Sequence, residues 1–136
     1  MSIERIWTKN TFLIKKKGSA QKMNTRQRKK RAKYWFTDKE RINANITAAE
    51  FLYCLLTEFK KVNKHSLPLG VNKEYWRYNL SKMIWSFDQL RRGYPEAPNP
   101  NRCSSIVEYK KATQAYQEAV NSGFEAFGKY VGELWD

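Results

Sequence analysis

Two clusters of cations and a run of rings are the residues whose types and spacing point to chemistry. Lys15, Lys16 and Lys17 form the first cluster. Eight residues on, the stretch Arg26-Gln27-Arg28-Lys29-Lys30-Arg31 forms the second, and it stops at Tyr34-Trp35-Phe36. Lysine supplies compact point charges and arginine supplies planar forks, the two geometries that meet phosphate oxygens. Several such groups on one extended or helical backbone neutralise phosphates and release condensed counterions. The rings admit two readings: they stack on unpaired bases, or they pin the arm to the rest of the protein. The candidate nucleic-acid-binding set is Lys15, Lys16, Lys17, Lys22, Arg26, Arg28, Lys29, Lys30, Arg31, Lys33, Tyr34 and Trp35. A solvated tail and a bipartite nuclear import signal share the same composition and stay open as alternatives.

Catalytic chemistry has little to work with. The one histidine, His65, sits in a polar loop between Lys64 and Ser66, where a residue without a chemical role is the ordinary outcome. Glu50, Glu58, Glu74 and Asp88 fall at helix starts or on polar faces, where carboxylates normally sit. No nucleophile stands in an activating turn. The stretch Gly128-Lys-Tyr-Val-Gly132 falls inside a helical stripe rather than after a strand, so it is not a phosphate loop. Cys54 and Cys103 lack metal-ligand spacing and suit a reducing compartment. The expectation is a protein that is not an enzyme, with no catalytic residues, no metal and no cofactor.

Charge is distributed unevenly along the 136 residues. Residues 1–36 carry 12 Lys and Arg against one acid, Glu4, whereas residues 37–136 carry 14 against 12 acids. A nearly neutral domain therefore follows a polycationic arm, and the natural partner is a polyanion. Five Trp, eight Tyr and seven Phe are too many large apolar side chains for a disordered chain, so the neutral part folds. The length suits one modest domain. No stretch has the ~20 apolar residues of a membrane span, and the first 17 residues lack the apolar run of a signal peptide.

The elements that must position these groups follow from periodicity and punctuation. The short run Thr11-Phe-Leu-Ile14 reads as a strand, a hairpin or a docked segment, and Gly18-Ser19 as a hinge. Residues 24–36 are helix-friendly, with Asn24 or Thr25 available as a cap. Like charges on so short a helix repel, so folding on a polyanion is expected. Thr47 with Glu50 has capping-box spacing and opens a stripe of Leu52, Leu55, Leu56, Phe59 and Val62. Asn72 caps a second helix whose stripe is Trp76, Leu80, Met83, Phe87 and Leu90, with Trp85 off the line. Ser105 with Glu108 opens a third, which runs through Ile106, Tyr109, Thr113, Tyr116, Val120, Phe124, Phe127, Val131 and Leu134. Gly123 implies a break near Ser122 unless a neighbouring helix needs close approach.

The expected fold is all-α. A small antiparallel bundle of three main helices, over 47–63, 73–91 and 105–134, carries a basic N-terminal extension. Leu55, Phe59, Leu80, Met83, Phe87, Tyr116, Val120 and Phe127 are expected to be buried together. The arm is residues 1–36, in part flexible or folding on binding, and the bundle domain is residues 37–136. Removing residues 1–33 should leave a folded domain that binds polyanions at least about tenfold more weakly. If it does not, the cations beside aromatics on the second helix are next in line: Lys82, Arg91 and Arg92, with Trp85.

Three blocks occur in order: Phe51-LYCLLTEFKKV-Asn63, Tyr75-WRYNLSKMIWSFDQ-Leu90 and Gly123-FEAFGKYVGELW-Asp136. They resemble a family of small uncharacterised proteins of tailed bacteriophages, which shares the aromatic-led first helix, the Lys-Met-Ile-aromatic-small-Phe helix and the closing GxxxFxKYxxxLW segment. The resemblance covers roughly residues 35–136 and leaves out the basic arm. It implies a helical fold and a phage-encoded protein of the bacterial host cytoplasm or the virion, and it supplies no activity. The stretch Thr25-RQRKKRAKY-Trp35 is also similar to the arginine-rich RNA-binding peptides of phage antitermination proteins. The functional expectation is non-enzymatic binding of DNA or RNA through the arm, with no membrane and with no oligomeric state implied. The alternative is an inhibitor or sponge of a host defence or transcription component, whose basic and aromatic surface holds an acidic host protein or a nucleotide signal.

Overall fold

Among the described residues, caps and apolar stripes at helical spacing set five α-helices and no strand. The computed structural model describes residues 24–63 and 66–135. The helices are α1 Thr25–Tyr34, α2 Asp38–Ile42, α3 Ala44–Val62, α4 Lys73–Arg91 and α5 Ile106–Tyr130. Single 3₁₀ turns cover Pro100–Arg102 and Val131–Glu133. The strand or hairpin expected over 1–14, the hinge at Gly18-Ser19 and His65 lie outside the described residues.

Helix α4 begins and ends where the sequence implies. The Asn72 side chain accepts the Tyr75 N–H at 2.8 Å, which satisfies one orphan donor of the first turn. The chain leaves the helix through Arg92 and Gly93, whose φ of 73° is in the left-handed region that glycine enters freely. Asn72→Ala should therefore cost about 1 kcal/mol, read as a lower urea midpoint. An unchanged midpoint would show that another group takes over the cap.

Helix α3 corrects the expected boundary. It starts at Ala44, three residues before Thr47, and Asn43 supplies no side-chain cap. The Thr47 hydroxyl does not accept from the Glu50 N–H; it donates to the Glu40 carbonyl at 3.0 Å. That carbonyl belongs to α2, whose own capping box was missed: the Glu40 N–H reaches Thr37 Oγ1 at 3.2 Å and Glu40 Oε1 accepts the Thr37 N–H at 3.0 Å. The preceding helix thus delivers the chain to α3 already turned.

The third long helix starts where Ser105 implies, but its capping box is not the expected one and it ends early. Ser105 accepts the Glu108 N–H at 3.1 Å, but the Glu108 carboxylate reaches back to the Ser104 N–H and hydroxyl rather than to Ser105. Those bonds hold the Glu108 carboxyl below its ordinary pKa. At the other end α5 stops at Tyr130, short of the expected 134, and tightens into a 3₁₀ turn. It runs unbroken through Ser122-Gly123.

Helix α4 lies between its two long neighbours and packs on both, whereas α3 and α5 have no comparable contact with each other. Both pairings are antiparallel. On the α3 side, Asn63 meets Trp76 at one end and Tyr53 meets Arg91 at the other. On the α5 side, Trp76 meets Tyr130, Ser86 meets Val120 and Gln89 meets Tyr116. One buried cluster results: Ala49 and Leu56 of α3, Trp76, Leu80, Met83 and Phe87 of α4, and Ala126 and Tyr130 of α5. Each large side chain removed from water there contributes about 1.5–3 kcal/mol. Six of the eight residues expected in the core take that role: Leu80, Met83, Phe87 and Val120 are buried, and Phe59 and Phe127 pack against the cluster. Tyr116 is half-buried outside the cluster. Leu55 is a correction, 39% exposed, because Leu56 points to α4 and Leu55 falls 100° to its side.

Candidate nucleic-acid interface

The basic run forms a regular helix with the other residues of this end of the chain. The Asn24 side chain accepts the Gln27 N–H at 2.9 Å while Gln27 Oε1 accepts the Asn24 N–H at 3.0 Å, a complete capping box. Arg31 and Lys33 lie in the last turn of α1, where cations oppose the helix dipole. Trp35 then takes the left-handed conformation, φ 70°, and its N–H closes on the Arg31 carbonyl at 2.8 Å. This reverses the chain and lays α2 against α1.

Two acids of α2 hold the pair together. Lys30 Nζ donates to Asp38 Oδ1 at 3.0 Å, Arg26 stands 3.7 Å from the other Asp38 oxygen, and Arg31 pairs with Glu40. The hydrogen bond from Lys30 holds the Asp38 carboxyl below the usual carboxylate range, with the Arg26 and Arg41 charges adding to it. The pairs range from the exposed Arg26–Asp38 to the largely covered Arg31–Glu40. Their effect is to orient α1 and to offset the like-charge repulsion that makes an isolated basic helix marginal. The acids lie 8 and 9 residues downstream of the cations that they pair with, Lys30 and Arg31.

Positions 26, 29, 30 and 33 fall on one side of α1, and Arg26, Lys29, Lys30 and Lys33 line a shallow recess of about 560 Å³ with Thr25 and Tyr34. Lys30 and Lys33 also stand over the Tyr34 ring, at 5.7 and 5.0 Å from its centroid. Arg28 is exposed on the opposite side of the helix. The Tyr34 and Phe36 rings stay in contact, with centroids 6.4 Å apart, but line different hollows. Tyr34 belongs to the cationic recess, whereas Phe36 lines a second, apolar hollow with Ala44, Ala48, Phe51 and Leu52. Trp35, at the reversal itself, is 38% exposed.

Of the twelve candidate residues, Arg26, Lys29, Lys30, Lys33 and Tyr34 share the recess. Arg31 is turned to Glu40, and Arg28 and Trp35 lie outside it. Lys15, Lys16, Lys17 and Lys22 lie outside the described residues. Asp38 and Glu40 were not singled out by sequence reasoning, although Thr37-x-x-Glu40 repeats the capping signature recognised further along the chain.

The reserve set on α4 is occupied. Arg91 and Arg92 both pair with Asp88 at 2.7 Å, and Arg91 also covers the Tyr53 ring, 4.0 Å from its centroid. The hydrogen bond to Asp88 raises the Arg92 pKa further. Lys82 donates to Ser122 Oγ at 2.9 Å and lies over Tyr78. Trp85 packs edge-on to Tyr116. Among the described residues no helix is long and apolar enough to cross a membrane, and no cluster of three His, Cys, Asp or Glu is poised for a metal ion. No family model, no curated protein and no solved structure matches this chain.

Proposed function

We propose that the protein binds nucleic acid without catalysis, through the phosphate backbone, using the cationic recess of α1 on a scaffold of three long helices. One observation carries the reading: four cations and one tyrosine share a single side of α1, with Arg26 and Lys30 braced by Asp38 and Lys29 and Lys33 beside them. A helix held this way presents its charges in register with successive phosphates and loses little ordering entropy on binding. The lysine-rich segment before Asn24 extends the same cationic track in sequence. The setting that goes with this reading is a phage-encoded protein in the bacterial cytoplasm.

Neutralising the recess tests it. Arg26, Lys29, Lys30 and Lys33 replaced together by Gln keep a helix-forming composition. Affinity for random-sequence duplex DNA and for structured RNA should fall at least about tenfold. The slope of log affinity against log salt on the duplex should flatten by about 3–4, the value for four lost phosphate contacts. Helical circular dichroism should not change. Equal affinity and equal slope in the two proteins would remove α1 from the interface.

A further inference from the structure

We propose that a cavity between α5 and the turn after α4 accepts a single unstacked base of a nucleic-acid strand. The cavity measures about 320 Å³, at the small end of ligand pockets and suited to one ring system. Val120 and Phe124 form an apolar floor, and Tyr94 and Tyr116 form aromatic walls whose rings meet edge-on with centroids 6.4 Å apart. Thr113, Gln117 and Asn121 recur every fourth residue of α5 and make a polar rim. Thr113 Oγ1 is buried without a hydrogen-bond partner. Gln117 and Asn121 are exposed, and each amide offers a donor beside an acceptor.

That lining selects the ligand class. No Lys, Arg, Asp or Glu lines the cavity, so it holds a neutral body rather than a phosphate or a carboxylate. Aromatic walls favour a flat ring. Side-chain amides pair with an edge that carries both donors and acceptors, as a nucleobase edge does.

The walls are built to hold their shape. The Tyr116 hydroxyl donates to Gln89 Oε1 at 2.6 Å, and Gln89 is fully buried. Gln89 Nε2 donates to Glu96 Oε2 at 3.1 Å, and Trp85 Nε1 donates to the same oxygen at 2.9 Å. Tyr94 sits at φ 58°, a conformation that is strained for a bulky residue, and its N–H bonds the Gln89 carbonyl at 2.7 Å. Non-glycine residues held this way concentrate at ligand clamps. The network therefore fixes both rings before any ligand arrives.

The choice of a nucleic acid rests on the reading of α1 given above, and the experiment separates the two. Full-length protein is titrated with a single-stranded oligonucleotide and with an abasic strand of equal length, which keeps the phosphates and lacks the bases. The wild type should prefer the base-bearing strand by about fivefold or more, the effect of one stacked base. Gln117→Ala with Asn121→Ala, both at exposed helix positions, should abolish the preference and leave abasic affinity unchanged. Tyr94→Gly, which keeps the left-handed backbone and removes the ring, should do the same. The neutralised α1 protein should bind both strands more weakly and keep their ratio. Equal affinity of wild type for the two strands, or a ratio that survives the Gln117/Asn121 change, overturns the proposal. If neither strand binds, equilibrium dialysis with adenosine, guanosine, cytidine and uridine decides. Saturable binding that the Gln117/Asn121 change removes upholds the cavity, and its absence ends the idea.

Discussion

Replacing Gly123 by Ala destabilises the protein by about 2–3 kcal/mol, although alanine is the better helix former by about 1 kcal/mol. A Cβ built there lies 2.6 Å from Ser86 Cβ and closer still to Ser86 Oγ and the Lys82 carbonyl oxygen. A serine side chain can rotate away, but only by giving up its hydrogen bond to the Val120 carbonyl at 2.8 Å. The Lys82 carbonyl is part of the α4 backbone and cannot move without shifting the helix. Opening the α4–α5 crossing therefore loosens the packing of Met83 and Phe87 as well. Gly128 is the internal control, because a Cβ at that position meets nothing within 4 Å. Gly128→Ala should stabilise by about 0.5–1 kcal/mol through helix propensity and reduced unfolded-state entropy. Urea denaturation of the two variants, with the slope checked for constancy, makes the comparison. A Gly123→Ala protein as stable as the parent would mean that α4 and α5 do not approach as described.

Trp76→Ala should cost about 3–5 kcal/mol, a large share of the stability of a domain this size. The ring is 1% exposed and is the largest side chain of the core. It meets Tyr130 edge-on at 5.4 Å and Phe59 edge-on at 6.4 Å, so it joins all three long helices. Its indole N–H donates to Asn63 Oδ1 at 3.2 Å, at the point where α3 hands over to the loop. Trp76→Phe separates the two contributions. It retains an aromatic ring and loses the hydrogen bond and some volume, so it should cost less than the alanine change, about 1–3 kcal/mol. Thermal or urea unfolding of the pair reads both values. An alanine variant within about 1 kcal/mol of wild type is incompatible with Trp76 as the joint of the core.

The three ion pairs that anchor α1 illustrate how a charge census can mislead. Counted along the chain, residues 26–31 are five uncompensated cations and a glutamine. In space, three of the five face Asp38 or Glu40, and the exposed face is completed by Lys33 instead. Nothing in the spacing of the basic run alone distinguishes Arg28 from Lys29, since the difference is which side of the helix meets α2. The Thr37-x-x-Glu40 box was legible and would have predicted α2, and with it the acids that pair with the arm.

The sequence by itself determined the all-helical class, the bounds of α4, the start of α5 and most of the α4 core stripe. These depend on interactions within four residues, where a cap side chain or an apolar period acts on its own turn. Only the tertiary structure decided that α3 begins at Ala44, that Leu56 rather than Leu55 is buried, that Gly123 serves a close crossing instead of a break, and that α4 is flanked on both sides. It also decided which cations share a recess and that Tyr94, Tyr116, Gln117 and Asn121 enclose a cavity. Each of these outcomes depends on a partner far along the chain. Tyr116 finds Gln89 at a separation of 27 residues and Ser86 finds Val120 at 34. Local propensity carries no information about such a partner, because the contact exists only once the helices have packed.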